Sequence, residues 1–252
     1  MIRYHGGPCT PIEAALELWS GRHALISFAY PQQIDFVAKH AHSFVMDNGA
    51  FSAWEHGSEV NWDDYAKWIS EYQQHPGFDN CLIPDKIDGT EADNDDLLMW
   101  WEGLDSLATP GVPVWHMHES VERLERIIMS PAKTYPVVAI GSSGEFSQPG
   151  TQRWWGRMAL AMEKACDKNG RPLCRLWGLR QMDPTIFSHV PYSFVDSASI
   201  SRNSGIDKGR PAAYRKLSPK QAALMMAFDA DRHKSASRWA GGIGQQENME
   251  FY

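Results

Sequence analysis

Tyr192-Ser193-Phe194-Val195-Asp196-Ser197 is a short apolar run that breaks into a carboxylate and hydroxyls, with a basic stretch beyond it. Aromatic and β-branched residues favour extended backbone, whereas Asp is among the poorest strand formers and is costly to bury unpaired. An Asp closing such a run therefore serves chemistry or caps the following helix rather than stabilising the strand. The same pattern, a β-rich run ending in a polar residue before a turn, recurs along the chain. Eight runs are predicted, at residues 2–5, 24–29, 43–47, 81–85, 112–116, 136–141, 173–178 and 193–196.

The intervening segments read as helices. Residues 11–19 begin with Pro11 in a first-turn position and stop at Gly21. In residues 61–69, Asn61 is a candidate cap, Asp63 and Asp64 sit in the first turn, and Tyr65, Trp68 and Ile69 share one face. Residues 120–128 repeat the pattern with Ser120 as candidate cap. Strict strand-helix alternation implies parallel strands, and eight units imply an α/β fold of the (β/α)8 TIM barrel type, predicted as a single domain over residues 1–252. The competing architecture is an open doubly wound sheet. It calls for a Gly-rich phosphate turn after its first strand, and His5-Gly6-Gly7-Pro8 lacks the GxGxxG spacing. The longest irregular stretch, residues 199–218, is predicted to be a functional loop.

Bulk properties narrow the classes. At 43% hydrophobic with eleven Trp the chain is globular, and no apolar run approaches the roughly 18 residues of a membrane helix. The start, MIRYHGGPCTP, lacks the basic-then-apolar order of a signal peptide, so a cytoplasmic protein is expected. Cys9, Cys81, Cys166 and Cys174 form no CxxC pair and are expected to be reduced, mostly buried thiols. The net charge of -7 argues against a nonspecific nucleic-acid binder, but its distribution is uneven. Residues 201–240 carry nine Lys/Arg against Asp207, Asp229 and Asp231, a net of +6, while the remainder nets -13. That basic loop-plus-helix segment, about residues 199–240, is either a solvated face or a phosphate-contacting patch beside Asp196.

In a barrel the chemistry lies where the strands end. The residues closing the runs are His5, Ser27, Asp47, Asp85, His116, Gly141 with Ser142 and Ser143, Arg180 and Asp196. Three are carboxylates. Two carboxylates facing one centre suit substitution at a sugar carbon, one attacking or stabilising C1′ and the other moving the proton. The segment His116-Met117-His118 opens a second reading, a metal-dependent hydrolase, because HxH at a strand end can supply two imidazole ligands. A third reading is a non-catalytic nucleic-acid-binding barrel. Gly141-Ser142-Ser143-Gly144 lacks the Lys of a P-loop, although its glycines let backbone N–H groups approach a ligand closely.

Met46-Asp47-Asn48-Gly49-Ala50-Phe51-Ser52, then Pro84-Asp85-Lys86-Ile87-Asp88-Gly89, Ala139-Ile140-Gly141-Ser142-Ser143-Gly144, Trp177-Gly178-Leu179-Arg180 and Phe194-Val195-Asp196-Ser197, together resemble the tRNA-guanine transglycosylase superfamily. The likeness runs over roughly residues 24–203 and is nearest to the short, phage-type relatives thought to install 7-deazaguanines in DNA. It implies a guanine transglycosylase acting without a cofactor, in which Asp196 is the nucleophile and Asp47 the general acid/base or the residue that positions the base. Asn48 stands where the family usually has Ser. The resemblance further implies that Asp85 reads the base edge, that Gly141, Ser142, Ser143 and Gly144 line the base pocket, and that Asn48, Gly49, Phe51, His116, Arg180, Ser197 and Arg202 contact the substrate. Phe51, Trp54 or Arg202 could wedge the nucleic acid open.

Family members that act on tRNA carry a C-terminal zinc site built from a CxCxxC cluster and a His, and no such pattern occurs here, the last cysteine being Cys174. No metal site is therefore expected. The expected partners are nucleic acid, DNA in preference to tRNA, and a 7-deazaguanine small molecule, with no membrane, and with room for a protein partner or a homo-oligomer.

Overall fold

The computed structural model describes residues 1–130, 135–204 and 210–240. Among the described residues the fold is α/β with eight strands, each parallel to the neighbours it pairs with. The chain divides into two compact units, one of residues 2–112 and 196–233, the other chiefly of residues 113–195.

The first unit opens with β1 (Ile2–Gly6), α1 (Ile12–Trp19), β2 (His23–Ser27), α2 (Ile34–His40) and β3 (Ser43–Asp47). It continues through α3 (Ala50–His56), α4 (Trp62–Tyr72), β4 (Phe78–Cys81) and α5 (Glu91–Glu102). Its sheet order is β4-β3-β2-β1, the strands being joined by helices as parallel pairing requires. In β2 and β3 the register pairs His23 with Ser43, Leu25 with Val45 and Ser27 with Asp47. Period-two alternation puts those three pairs on one face. At one end of that face Tyr4 and Ser43 both donate hydrogen bonds to Asp79, and His23 Nδ1 lies 2.7 Å from Ser43 Oγ. At the other end stand Ser27 and Asp47.

Capping accounts for several helix starts. Asn61 Oδ1 accepts from the backbone N–H groups of Asp63 and Asp64, as the sequence suggests, and Tyr65, Ala66, Trp68 and Ile69 form the buried stripe of α4. Truncating Ile69 to Ala would cost about 2–5 kcal/mol. The Tyr65 hydroxyl reaches the carbonyls of Leu82 at 2.7 Å and Met46 at 3.3 Å, tying β3 to the residues after β4. Thr90 and Asp93 form a reciprocal capping box at the start of α5.

The second unit contains β5 (Val114–His116), α6 (Val121–Ile128), β6 (Val137–Gly141), α7 (Gln152–Ala165), β7 (Arg175–Leu179), α8 (Pro184–Phe187) and β8 (Phe194–Ser197) up to Val195. Its sheet order is β5-β6-β7-β8, and Trp177 and Gly178 pair with Phe194 and Val195. Ser120 caps α6 by accepting from the backbone N–H of Arg123, and Leu124, Ile127 and Ile128 are buried on its inner face. The rest of the first unit follows β8, with α9 (Ser199–Ser204) and α10 (Pro219–Asp231). Ala222, Ala223 and Ala227 form the buried face of α10, small enough for close packing on α1.

Two expectations are corrected. The strand predicted at 81–85 lies at Phe78–Cys81, because Asp79 and Asn80 hide a strand whose polar residues bond inside the sheet, and Asp85 consequently lies in the loop beyond it. Residues 199–218 are not a continuous loop: α9 and a short turn of 3-10 helix at Ala212–Tyr214 occupy much of it, while residues 205–209 lie outside the described residues. Of the four cysteines, all free thiols, Cys9 and Cys81 are buried and Cys166 and Cys174 half-buried. Among the described residues, no helix is long and apolar enough to cross a membrane.

Candidate active site

The first unit carries Asp47, Asn48, Gly49, Asp85 and the Asp196-Ser197 pair, each at a strand end or in the loop that follows one. Asp47 closes β3 beside Ser27, which hydrogen-bonds its carboxylate, and the backbone N–H of Gly49 donates to Asp47 Oδ2 at 3.2 Å. Gly49 has φ +79°, and a Cβ there would stand 2.9 Å from the amide nitrogen of Ala29, so this turn accepts only glycine. Asp47 keeps a partly open edge, yet its carboxyl group is enclosed by protein. Burial raises its pKa to about 6; the negative charge of Asp85 adds to the shift, against the hydrogen bonds from Ser27 and Gly49.

Asn48 is 2% exposed and its amide is fully engaged. Nδ2 donates to the Ile83 carbonyl at 2.7 Å and to Asp85 Oδ1 at 2.5 Å, while Oδ1 accepts from the backbone N–H of Ala50 at 2.9 Å. The Asn48 side chain braces Asp85. A second amide supports the same loop: Asn94 in α5, buried, accepts from the backbone N–H of Lys86 at 2.7 Å and donates to the Lys86 carbonyl. Asp85 itself is 5% exposed.

Asp196 is the third residue of β8 and is 6% exposed. Ser197 Oγ accepts from the backbone N–H of Ser199 at 3.0 Å and so helps to start α9. A Cβ on Gly6 would stand 3.2 Å from the backbone of Ala198, which sets the end of β1 directly against the residues after Asp196. Arg202 is exposed on α9; Phe51 lies on α3 with its ring 5.6 Å from that of Trp54, which is also exposed.

The basic segment is smaller than its composition suggests. Arg210 is 3% exposed and donates from Nε to the Ser204 carbonyl at 2.9 Å and from Nη1 to the Leu217 carbonyl, so its guanidinium is structural. Lys220 pairs with Glu17 at 3.0 Å and Arg232 with Asp229 at 3.4 Å. Arg202, Arg215 and Lys216 are its exposed cations in the first unit without an ion pair among the described residues, and Lys208 lies outside those residues.

The second unit holds the remaining predicted site residues. His116, 2% exposed, ends β5, and its backbone N–H donates to Glu119 Oε2 at 2.9 Å; Glu119 also makes a buried ion pair with Arg123 at 2.8 Å. Gly141 lies where a Cβ would come 3.2 Å from His116 Nδ1. Ser143 Oγ is 2.7 Å from His118 Nδ1, and Gly144, at φ +55°, leaves room for that histidine. Ser142 Oγ accepts from Trp154 Nε1 at 2.9 Å and from Gln181 Nε2 at 3.4 Å, and the Tyr192 hydroxyl donates to Gln181 Oε1 at 2.5 Å. Sequence reasoning missed Gln181, Tyr192 and Glu119. The Glu119–Arg123 spacing of four was a signal for Glu119 alone. Arg180 follows β7 with φ 59°, an unusual conformation for a residue with a side chain.

The rings of His116 and His118 lie stacked, 5.7 Å apart, and no group of three or more His, Cys, Asp or Glu side chains among the described residues is arranged to hold a metal ion. No protein-family model matches the chain, and neither a curated protein nor a solved structure does.

Proposed function

We propose that the protein is a base-exchanging pentosyltransferase that replaces a guanine in nucleic acid, DNA in preference to tRNA, by a 7-deazaguanine. The observation that carries this reading is the pairing of unlike acids in the first unit: Asp47, raised to about 6, beside Asp85, which is tethered by Asn48. A carboxyl group whose pKa is raised to about 6, chiefly by burial and further by the neighbouring Asp85, is suited to pass a proton to a leaving group. Asp196 supplies the further carboxylate that substitution at C1′ needs.

In the proposed exchange an Asp196 oxygen attacks C1′ while the bond to guanine N9 breaks. Guanine leaves with that electron pair and takes the proton of Asp47. The incoming deazaguanine then attacks C1′ through N9, returns its proton to Asp47 and releases Asp196. Asp85 reads the donors on the base edge. Arg202, Arg215 and Lys216 supply phosphate contacts. We further propose that the eight strands close into a (β/α)8 barrel, which is supported by the hydrogen bonds joining Cys81, the last residue of β4, and Ile83, just beyond it, to Val112, which leads into β5.

Mass spectrometry of nucleosides from the DNA and tRNA of cells with and without the protein tests the reading. A 7-deazaguanine nucleoside confined to one pool when the protein is present supports it and names the polymer; unchanged nucleosides in both pools overturn it.

A further inference from the structure

A cleft of about 290 Å³ lies in the first unit against the Asn48-Gly49 turn, lined by Phe28, Tyr30, Gly49, His56, Glu59 and Asn61 among others. Its size, at the lower end for small-molecule sites, admits one ring with a short substituent. Most of its polar groups are occupied. Asn61 Oδ1 caps α4, and His56 Nδ1 donates to the Ser52 carbonyl at 2.7 Å. The Glu59 carboxylate and the Tyr30 hydroxyl, by contrast, have no hydrogen-bond or ion-pair partner among the described residues. Phe28 is held in place by the rings of Tyr65, at 5.5 Å, and Trp68, at 5.4 Å.

Among the residues that line the cleft, Glu59 is the one carboxylate and none is Lys or Arg. Such a surface repels phosphate and concentrates cations. A carboxylate beside aromatic side chains suits an organic ammonium, which gains from both. We propose that this cleft binds a small organic cation, a primary ammonium carried on a flat ring, with Glu59 as its counter-ion. The proposal does not depend on base exchange.

Ligand-detected NMR titration of the full chain with benzylammonium and with benzyl alcohol tests it. Benzylammonium is expected to bind at least about fivefold more tightly than the neutral probe. Glu59→Gln, at an exposed position, is expected to abolish that preference without changing the thermal melt, whereas Glu55→Gln, outside the cleft wall, leaves it intact. Equal affinity for the two probes, binding of neither, a preference that survives Glu59→Gln, or one lost equally in Glu55→Gln overturns the proposal.

Discussion

The side-chain amide of Asn48 donates to the carboxylate of Asp85 at 2.5 Å and to the carbonyl of Ile83 at 2.7 Å, so one buried residue after β3 sets the loop after β4. Serine at this position has one hydroxyl donor and cannot serve both acceptors. Asn48→Ser is therefore expected to destabilise the protein by about 1–3 kcal/mol, the cost of an unsatisfied buried acceptor. A denaturant titration should show the midpoint fall with the slope unchanged.

Asp47 gives stability a definite pH dependence. Its folded-state pKa, about 6, lies above the ordinary aspartate value of 3.8, so the folded protein holds the proton more tightly than the unfolded chain does. The group's stabilising contribution is full below about pH 4 and is lost as pH rises through 6. Asp47→Asn is thus expected to stabilise the protein by about 2–3 kcal/mol at pH 8, and to lose that advantage by pH 4. Melting curves of both proteins at the two pH values check the sign.

Gly49 combines φ +79° with a hypothetical Cβ contact of 2.9 Å to the amide of Ala29. Gly49→Ala is expected to cost more than about 1 kcal/mol, since both the conformation and the space disfavour a side chain. The same change displaces the N–H that donates to Asp47, so the acid should titrate differently by NMR even where the variant folds.

The basic segment divides into structural and free cations. Arg210→Ala removes a buried guanidinium that braces the Ser204 and Leu217 carbonyls and should lower the melting temperature. Arg202→Ala and Lys216→Ala should leave melting unchanged and weaken nucleic-acid binding across sequences. Each should reduce the salt slope of log K by about 1, as read from binding isotherms at several salt concentrations.

What was legible in the sequence follows from where the physics is local. Asn61 and Ser120 were readable as caps because a cap acts on N–H groups two or three residues away. Apolar runs such as β3 and β6 were readable because burial on both faces leaves a continuous signal. β4 was displaced because Asp79 satisfies its charge with Tyr4 and Ser43, residues far away in sequence. Asn48 was noted for its place in a motif, but its role as a brace depends on an acceptor at Ile83 and on Asp85, which only the folded chain brings within reach. Gln181 and Tyr192 hold Ser142 through a buried relay that no spacing rule describes. Composition likewise overstated the basic segment, because charge counting does not distinguish a buried Arg210 from an exposed Lys216.

The most direct test of the base-exchange account is incorporation of labelled guanine into guanine-containing DNA and tRNA by the wild type and Asp196→Ala. The account predicts incorporation by the wild type, with loss of at least a thousandfold in the variant, on the order of what removal of a nucleophile costs. Incorporation by Asp196→Ala at the wild-type rate, or none by the wild type on either polymer, would contradict it.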